Sequence, residues 1–257
     1  IPSLPGYVYA VKDNQVYVNL YLSNKAELIV NKKKVVLEQE TGYPWNGDIR
    51  VKVAQGNQEF ALKLRIPGWV RNEVLPSDLY SYADNQKPTY RIIVNGQETA
   101  NTLNNGYLSI ERKWKKGDVV KIHFDMLPRI VKANEKVVDD KGRVSVERGP
   151  IVYCAEWPDN KCNVHTVLLN QHPQFKVVET PELLYGISQL KTDAQALSYD
   201  KNGKLITKDT ELTLIPYYAW AHRGEGDMKV WLPIDVSAAS ALPQEVQKWE
   251  DNGFFKN

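Results

Sequence analysis

Apolar residues recur at every second position through most of the chain. Val16, Val18, Leu20 and Leu22 alternate with Tyr17, Asn19 and Tyr21. Ile49, Val51 and Val53 alternate with Asp48, Arg50 and Lys52. Phe60, Leu62, Leu64 and Ile66 alternate with Glu59, Ala61, Lys63 and Arg65. Val120, Ile122, Phe124 and Met126 alternate with Lys121, His123 and Asp125. Successive side chains of a strand point to opposite faces, so each block buries one face and wets the other. Antiparallel sheets packed as sandwiches have this pattern; parallel sheets covered on both faces do not.

The residues between the blocks support the same reading. Asn95-Gly96 follows Arg91–Val94, and both residues accept the positive φ that a tight hairpin requires. Lys116-Gly117-Asp118, Asn46-Gly47-Asp48 and Lys201-Asn202-Gly203-Lys204 separate further blocks. Pro67-Gly68 and Pro128 close strands, because proline cannot donate to a ladder. One helical segment is predicted, Pro243–Glu250, with proline early, good helix formers after it, and Val246 and Trp249 as its apolar pair. Strand character ends at Pro128, and Lys132–Gly142 is charged and poor in large aliphatics before alternation resumes at Arg143. The chain is therefore predicted to be all-β. Two antiparallel, jelly-roll-like β-sandwich domains cover 1–130 and 131–257, with a short C-terminal helix or tail.

Composition narrows the function classes. A hydrophobic fraction of 42% and a charged fraction of 25% suit a globular protein. No apolar run approaches the ~20 residues that cross a bilayer, so no membrane partner is expected. The net charge of +2 is scattered, and Lys32-Lys33-Lys34 reads as a hairpin tip or solvated edge, so no nucleic-acid partner is expected either. Cys154 and Cys162 flank the turn Pro158–Lys161; separate thiols are the preferred reading, and a hairpin disulfide is the other. His123, His165, His172 and His222 show no ligand spacing with the cysteines.

Candidate chemistry is sparse. Glycoside hydrolysis usually needs two carboxylates about 5–10 Å apart. The many acids here, among them Glu38, Glu40, Asp48, Glu111, Asp118, Asp125, Glu147 and Glu156, fall mostly on outward strand positions or in turns. There is no Gly-x-Ser-x-Gly and no phosphate-binding glycine loop. Arg223-Gly224-Glu225-Gly226-Asp227 lacks the spaced acids of a calcium loop and reads as a tight hairpin between strands near Trp220 and Met228. Two aromatic groups remain, Tyr43-Pro44-Trp45 and Tyr217–Arg223. A flat ring can cover the C–H face of a sugar while polar neighbours bind its hydroxyls. Tyr43, Trp45, Trp220, His222 and Arg223 are therefore the candidate carbohydrate contacts. The same residues also suit a sandwich core or a domain interface.

Several ordered segments carry a resemblance. They are LPGYVYAVKDNQVYVNLYLSN (4–24), YPWNGDIRVKV (43–53), FALKLRIPGWV (60–70), VNG (94–96), GYLSIERKWKKGDVVKIHF (106–124), GRVSVERGPIVYCAEW (142–157) and YYAWAHRGEGDMKVWLP (217–233). As an ordered set, this resembles the C-terminal half of the β-L-arabinofuranosidase family of glycoside hydrolases. The resemblance implies an α-helical toroid that carries catalysis at a zinc–cysteine site, followed by two β-sandwich domains. Cys154 and Cys162 do not match that site's adjacent cysteines, so no catalytic residue or metal ligand carries over. The resemblance thus predicts a non-catalytic fragment, inactive alone, that supports a catalytic domain acting on L-arabinofuranosides or related plant-type glycans. It implies no cofactor in this chain, zinc in the missing domain, and a secreted or periplasmic home. The alternative is a carbohydrate-binding module that uses surface aromatics. Residues 234–257 match nothing in the family pattern.

Overall fold

The computed structural model describes residues 3–84, 86–99 and 102–239. The helix predicted at 243–250 lies outside them. The described chain is all-β apart from one helical turn, Pro5–Val8, and short 3-10 turns. Pro5 opens that helical turn, where its missing N–H costs nothing. Two compact units divide the chain: Ile1–Pro76 with Gln86–Leu127, and Ser77–Asn85 with Pro128–Asn257.

The first unit contains two sheets. One runs in the order Tyr9–Lys12, Gln15–Val18, Asn57–Arg65, Tyr107–Lys115, Leu103–Asn104. The other runs Asn24–Val30, Lys33–Thr41, Asp48–Gln55, Val119–Phe124, Tyr90–Val94, Gln97–Glu98. The alternating blocks fill the interior. Val16, Val18, Phe60, Leu62 and Leu64 come from the first sheet, and Leu37, Val51, Val120, Ile122 and Phe124 from the second; all are buried. Polar side chains tie the sheets together. Gln58 donates to the Val30 carbonyl at 3.2 Å, and Gln39 donates to the Tyr9 hydroxyl at 2.9 Å. One pairing departs from the antiparallel expectation: Gln15–Val18 runs parallel to Asn57–Arg65. A longer stretch of chain than a hairpin turn separates them, and only such a connection permits parallel pairing. Asn95-Gly96 closes a two-residue hairpin with φ of 51° and 87°, the geometry its residue types favour.

The second unit is built on one continuous ten-stranded sheet. Its main path is Val167–Leu169, Ile187–Tyr199, Leu205–Pro216, Ile151–Glu156, Arg143–Arg148, Pro128–Ala133, Tyr80–Tyr82. Lys176–Thr180 pairs with Ile187–Lys191, beside the segment paired by Val167–Leu169. The strands Arg143–Arg148 and Ile151–Glu156 pair only over Val146–Arg148 and Ile151–Tyr153. Beyond that point they diverge, and the short strands Leu232–Pro233 and Met228–Lys229 take up their freed edges. Val144, Val146, Tyr153, Leu190, Leu212, Leu214 and Leu232 form the main core. Cys154, Ile187, Ile215 and Ala219 form a smaller cluster, as alternation within strands requires.

Tyr80–Tyr82 joins this sheet from far upstream by pairing with Val131–Ala133. Arg129, only 3% exposed, secures it. Its guanidinium lies 3.5 Å from the Tyr82 ring centre and donates to the Asp84 carboxylate from Nη2 at 2.8 Å and from Nε at 3.1 Å. The Tyr82 hydroxyl donates to Glu147 at 3.2 Å. Burial pushes the Glu147 carboxyl above its ordinary pKa, against the opposing pull of Tyr82 and Arg129.

Candidate functional site

The aromatic candidates occupy two separate places. In the first unit, the turn 42–47 leads into the strand Asp48–Gln55, with Trp45 N–H donating to the Gly42 carbonyl at 2.9 Å. Tyr43 turns inward. Its ring meets Tyr21 and Phe124 edge-on at 6.0 and 6.2 Å, and its hydroxyl accepts from Trp69 Nε1 at 3.2 Å. Burial raises its pKa. Tyr43 is thus partly buried with its ring packed on core aromatics, whereas Trp45 is half exposed. Gly47 cannot carry a side chain here, because a Cβ would lie 1.9 Å from the Phe124 carbonyl oxygen.

A trough of about 630 Å³ opens beside this turn, on the outer face of the second sheet. Strand register defines its floor. Glu40 faces Arg50, Arg50 faces Lys121, and Lys121 faces Ile93; the next row is Asp48, His123 and Arg91. Arg50 Nη1 meets Glu40 at 2.9 Å. His123 bridges two acids, with Nδ1 2.7 Å from Asp48 and Nε2 3.6 Å from Asp125. The hydroxyl and backbone N–H of Thr89 donate to Asp125 and hold its pKa below the usual carboxylate value. The nearby Arg91 adds to the pull on Asp125, and Lys121 lines the trough on the neighbouring strand. Gly42 and Asn46 line the end of the trough nearest Trp45.

In the second unit, Tyr217 and Trp220 stack with centroids 6.1 Å apart and planes 10° apart. Both remain substantially exposed, as do Tyr218 and His222. Arg223 turns inward instead. Its Nη1 donates to Asp159 at 2.8 Å, and its Nη2 meets both Asp159 and Glu156. These contacts, led by Asp159, raise its pKa above the ordinary arginine value against the effect of burial. The backbone N–H of Ala221 also donates to Glu156 at 3.1 Å.

The predicted hairpin across 223–227 is replaced by a clamped loop. Tyr217–Ala219 is a 3-10 turn, and Met228–Lys229 pairs with Ala155–Glu156 rather than with the segment before the loop. The buried carboxylates draw Arg223 in, and Gly226 then lies so close to the Trp157 indole that a Cβ would approach to 2.0 Å.

Glu156 and Asp159 keep 1% and 8% side-chain exposure, and Arg223 contacts both. The two cysteines form no disulfide. Burial pushes the Cys154 thiol up to about 12, with Glu156 and Asp159 adding to the effect. Among the described residues, no group of three or more His, Cys, Asp or Glu side chains is placed to hold a metal ion. Sequence reasoning missed the Arg223 clamp and the charged floor of the trough. The outward positions of the alternating blocks were its only signal for the latter.

Comparison with known proteins gives this geometry a context. Residues 15–126 match the middle domain of GH127 β-L-arabinofuranosidases, and residues 128–233 match the C-terminal domain of glycoside hydrolase family 127. A solved GH127 β-arabinofuranosidase is 79% identical with a TM-score of 0.92, over 94% of this chain and 38% of its own. A GH127 β-L-arabinofuranosidase from Geobacillus stearothermophilus T6 is 31% identical with a TM-score of 0.78, over 90% of this chain and 35% of its own. The non-reducing end β-L-arabinofuranosidase of Bifidobacterium longum subsp. longum is 28% identical across 251 residues, 90% of this chain and 35% of its own. The chain thus falls among the glycoside hydrolases. It belongs to family 127, whose middle and C-terminal domains it carries. It spans little more than a third of the length of these relatives.

Proposed function

We propose that this chain is the non-catalytic β region of a family 127 glycoside hydrolase that acts on L-arabinofuranosides or related plant-type glycans. Its partner is an α-helical catalytic domain, which holds the zinc and the reacting groups. The two units brace that domain, because catalytic side chains need a rigid supporting shell to hold their geometry. One observation carries this reading: the family match covers nearly the whole chain with two domains that are together little more than a third of the relatives. The inward, ion-paired setting of Glu156, Asp159 and Arg223 supports it.

The test uses the relative that is 79% identical. The part of that enzyme preceding the matched region is produced alone and mixed with this chain, with an aryl β-L-arabinofuranoside as substrate. Turnover is expected from the mixture and not from this chain alone. Zinc-dependent turnover by this chain alone refutes the proposal.

A second reading, glycan binding, is favoured by the stacked and exposed Tyr217 and Trp220. Saturable binding of arabino-oligosaccharides that is lost on Trp220→Ala would support it.

A further inference from the structure

We infer that one open edge of the first unit, beside its helical turn, is the seat of the helical catalytic domain. This rests on the proposed function and goes beyond it by naming the surface. The edge forms where two end strands meet. Tyr9–Lys12 ends one sheet and Asn24–Val30 ends the other, so each has one side without a strand partner among the described residues. The Tyr9 hydroxyl donates to the Asn24 side-chain carbonyl at 3.1 Å and links the two strands across the sandwich. Sheet edges of this kind are normally covered or blunted, because their unpaired backbone groups invite another chain.

The side chains there are those of an interior rather than a wet surface. Val11 stands opposite Val16 and shares its face; Val16 is fully buried, yet Val11 keeps 40% exposure. Leu28 shares a face with the fully buried Val30 and is only half-buried. Leu22, whose carbonyl accepts from Asn24 Nδ2, is exposed as well. Leu4 and Tyr7 stand three apart at the helical turn, on one side of it, and Tyr7 is 66% exposed. Asn19 fixes that turn to the edge: its Nδ2 donates to the Tyr7 carbonyl at 3.3 Å and its backbone N–H to the Val8 carbonyl at 2.9 Å. Apolar groups gathered in this way mark an interaction surface.

Chain order selects the occupant. The relatives carry the greater part of their length outside the aligned region. The matched domains are the middle and C-terminal ones, so in the relatives that length stands ahead of the middle domain, whose match begins at Gln15. A domain joined there enters through the segment that carries Leu4, Tyr7 and Val11. Three residues of tether span about 10 Å, so the joined domain stays within reach of this edge. A short link also gives an effective concentration on the order of millimolar, at which modest apolar contacts suffice. The exposed rings of the second unit, Tyr185, Tyr217 and Trp220, lie far along the chain from that link.

The experiment compares amide hydrogen exchange in this chain with that in the intact relative that is 79% identical. Positions 4–12 and 22–30 are expected to exchange at least tenfold more slowly in the intact relative. Gln97–Glu98, at the opposite end of the second sheet, should exchange alike in both. Tyr7→Ser/Val11→Ser alters two exposed residues and should leave the thermal midpoint of this chain unchanged, whereas the matching double substitution should lower that of the intact relative. Three results overturn the inference: equal exchange at 4–12 and 22–30, slowing as large at Gln97–Glu98 or confined to the second unit, or a relative indifferent to the double substitution. Slowing at 4–12 as the concentration of this chain alone is raised makes a second copy the occupant and overturns it too. The proposed function fails by another result, turnover by this chain alone, so the two failures are distinguishable.

Discussion

Replacing Arg223 with alanine tests the clamp at its centre. The change removes the one cation that, among the described residues, pairs with two largely buried carboxylates, Glu156 at 1% and Asp159 at 8% side-chain exposure. Breaking a buried ion pair from one side costs about 3–5 kcal/mol, because the remaining charge is desolvated without compensation. An exposed pair would cost at most about 1 kcal/mol. Arg223 keeps 19% of its side-chain surface in water, so the lower end of the buried range, about 3 kcal/mol, is expected. For a unit of this size, each kcal/mol lowers the midpoint by roughly 3–5 °C, giving a shift of about 9–15 °C. The tryptophan fluorescence of the chain, to which Trp157 beside the loop contributes, reports the transition during thermal and urea unfolding. Arg223→Lys should recover only part of the loss, because an ammonium cannot span both carboxylates as the planar guanidinium does. Adding Glu156→Gln to Arg223→Ala should restore stability, since it removes one stranded charge. An Arg223→Ala chain within 1 kcal/mol of wild type, or a double variant worse than the single, would refute the buried-pair reasoning.

Three further outcomes follow from geometry already described. Glu147 has a higher pKa folded than unfolded, so its ionisation opposes folding; that penalty is absent below the unfolded value near 4.3 and grows as pH rises through the folded value. Wild-type urea midpoints should therefore fall relative to Glu147→Gln between pH 4 and pH 7, and parallel curves would contradict this. Gly226→Ala should destabilise by about 1–3 kcal/mol through the clash with Trp157, measured by thermal unfolding. Cys154 is fully buried with its thiol pushed up to about 12, so Ellman's reagent at pH 8 should modify at most Cys162 until denaturant is added.

The strands were readable because alternation is a local property. Val51 and Lys52 declare their faces without reference to any partner, and Asn95-Gly96 specifies its own turn. Partnership is not local. Val16 and Val18 mark a strand but not its direction, so the parallel pairing with Asn57–Arg65 could not be read from them. Tyr80–Tyr82 is too short to show a period, and its partner lies about fifty residues downstream. The candidate site was legible only as residue types. A loop tyrosine reads the same whether its ring turns inward, as at Tyr43, or outward, as at Tyr217. Arg223 suits a sugar hydroxyl as well as a carboxylate until Glu156 and Asp159 are placed beside it. Arg91 and Lys121 became neighbours only once strand register set them on adjacent strands.

The strand Tyr80–Tyr82 makes the two units inseparable by a single cut. The matched family domains meet between residues 126 and 128, yet the second sheet takes an edge from residues well before that point. A piece beginning at Pro128 would lose Asp84 and Tyr82 and leave Arg129 without them. Recombination could not shuffle this second unit as an independent cassette. Its inheritance is bound to the unit whose sequence encloses that borrowed strand.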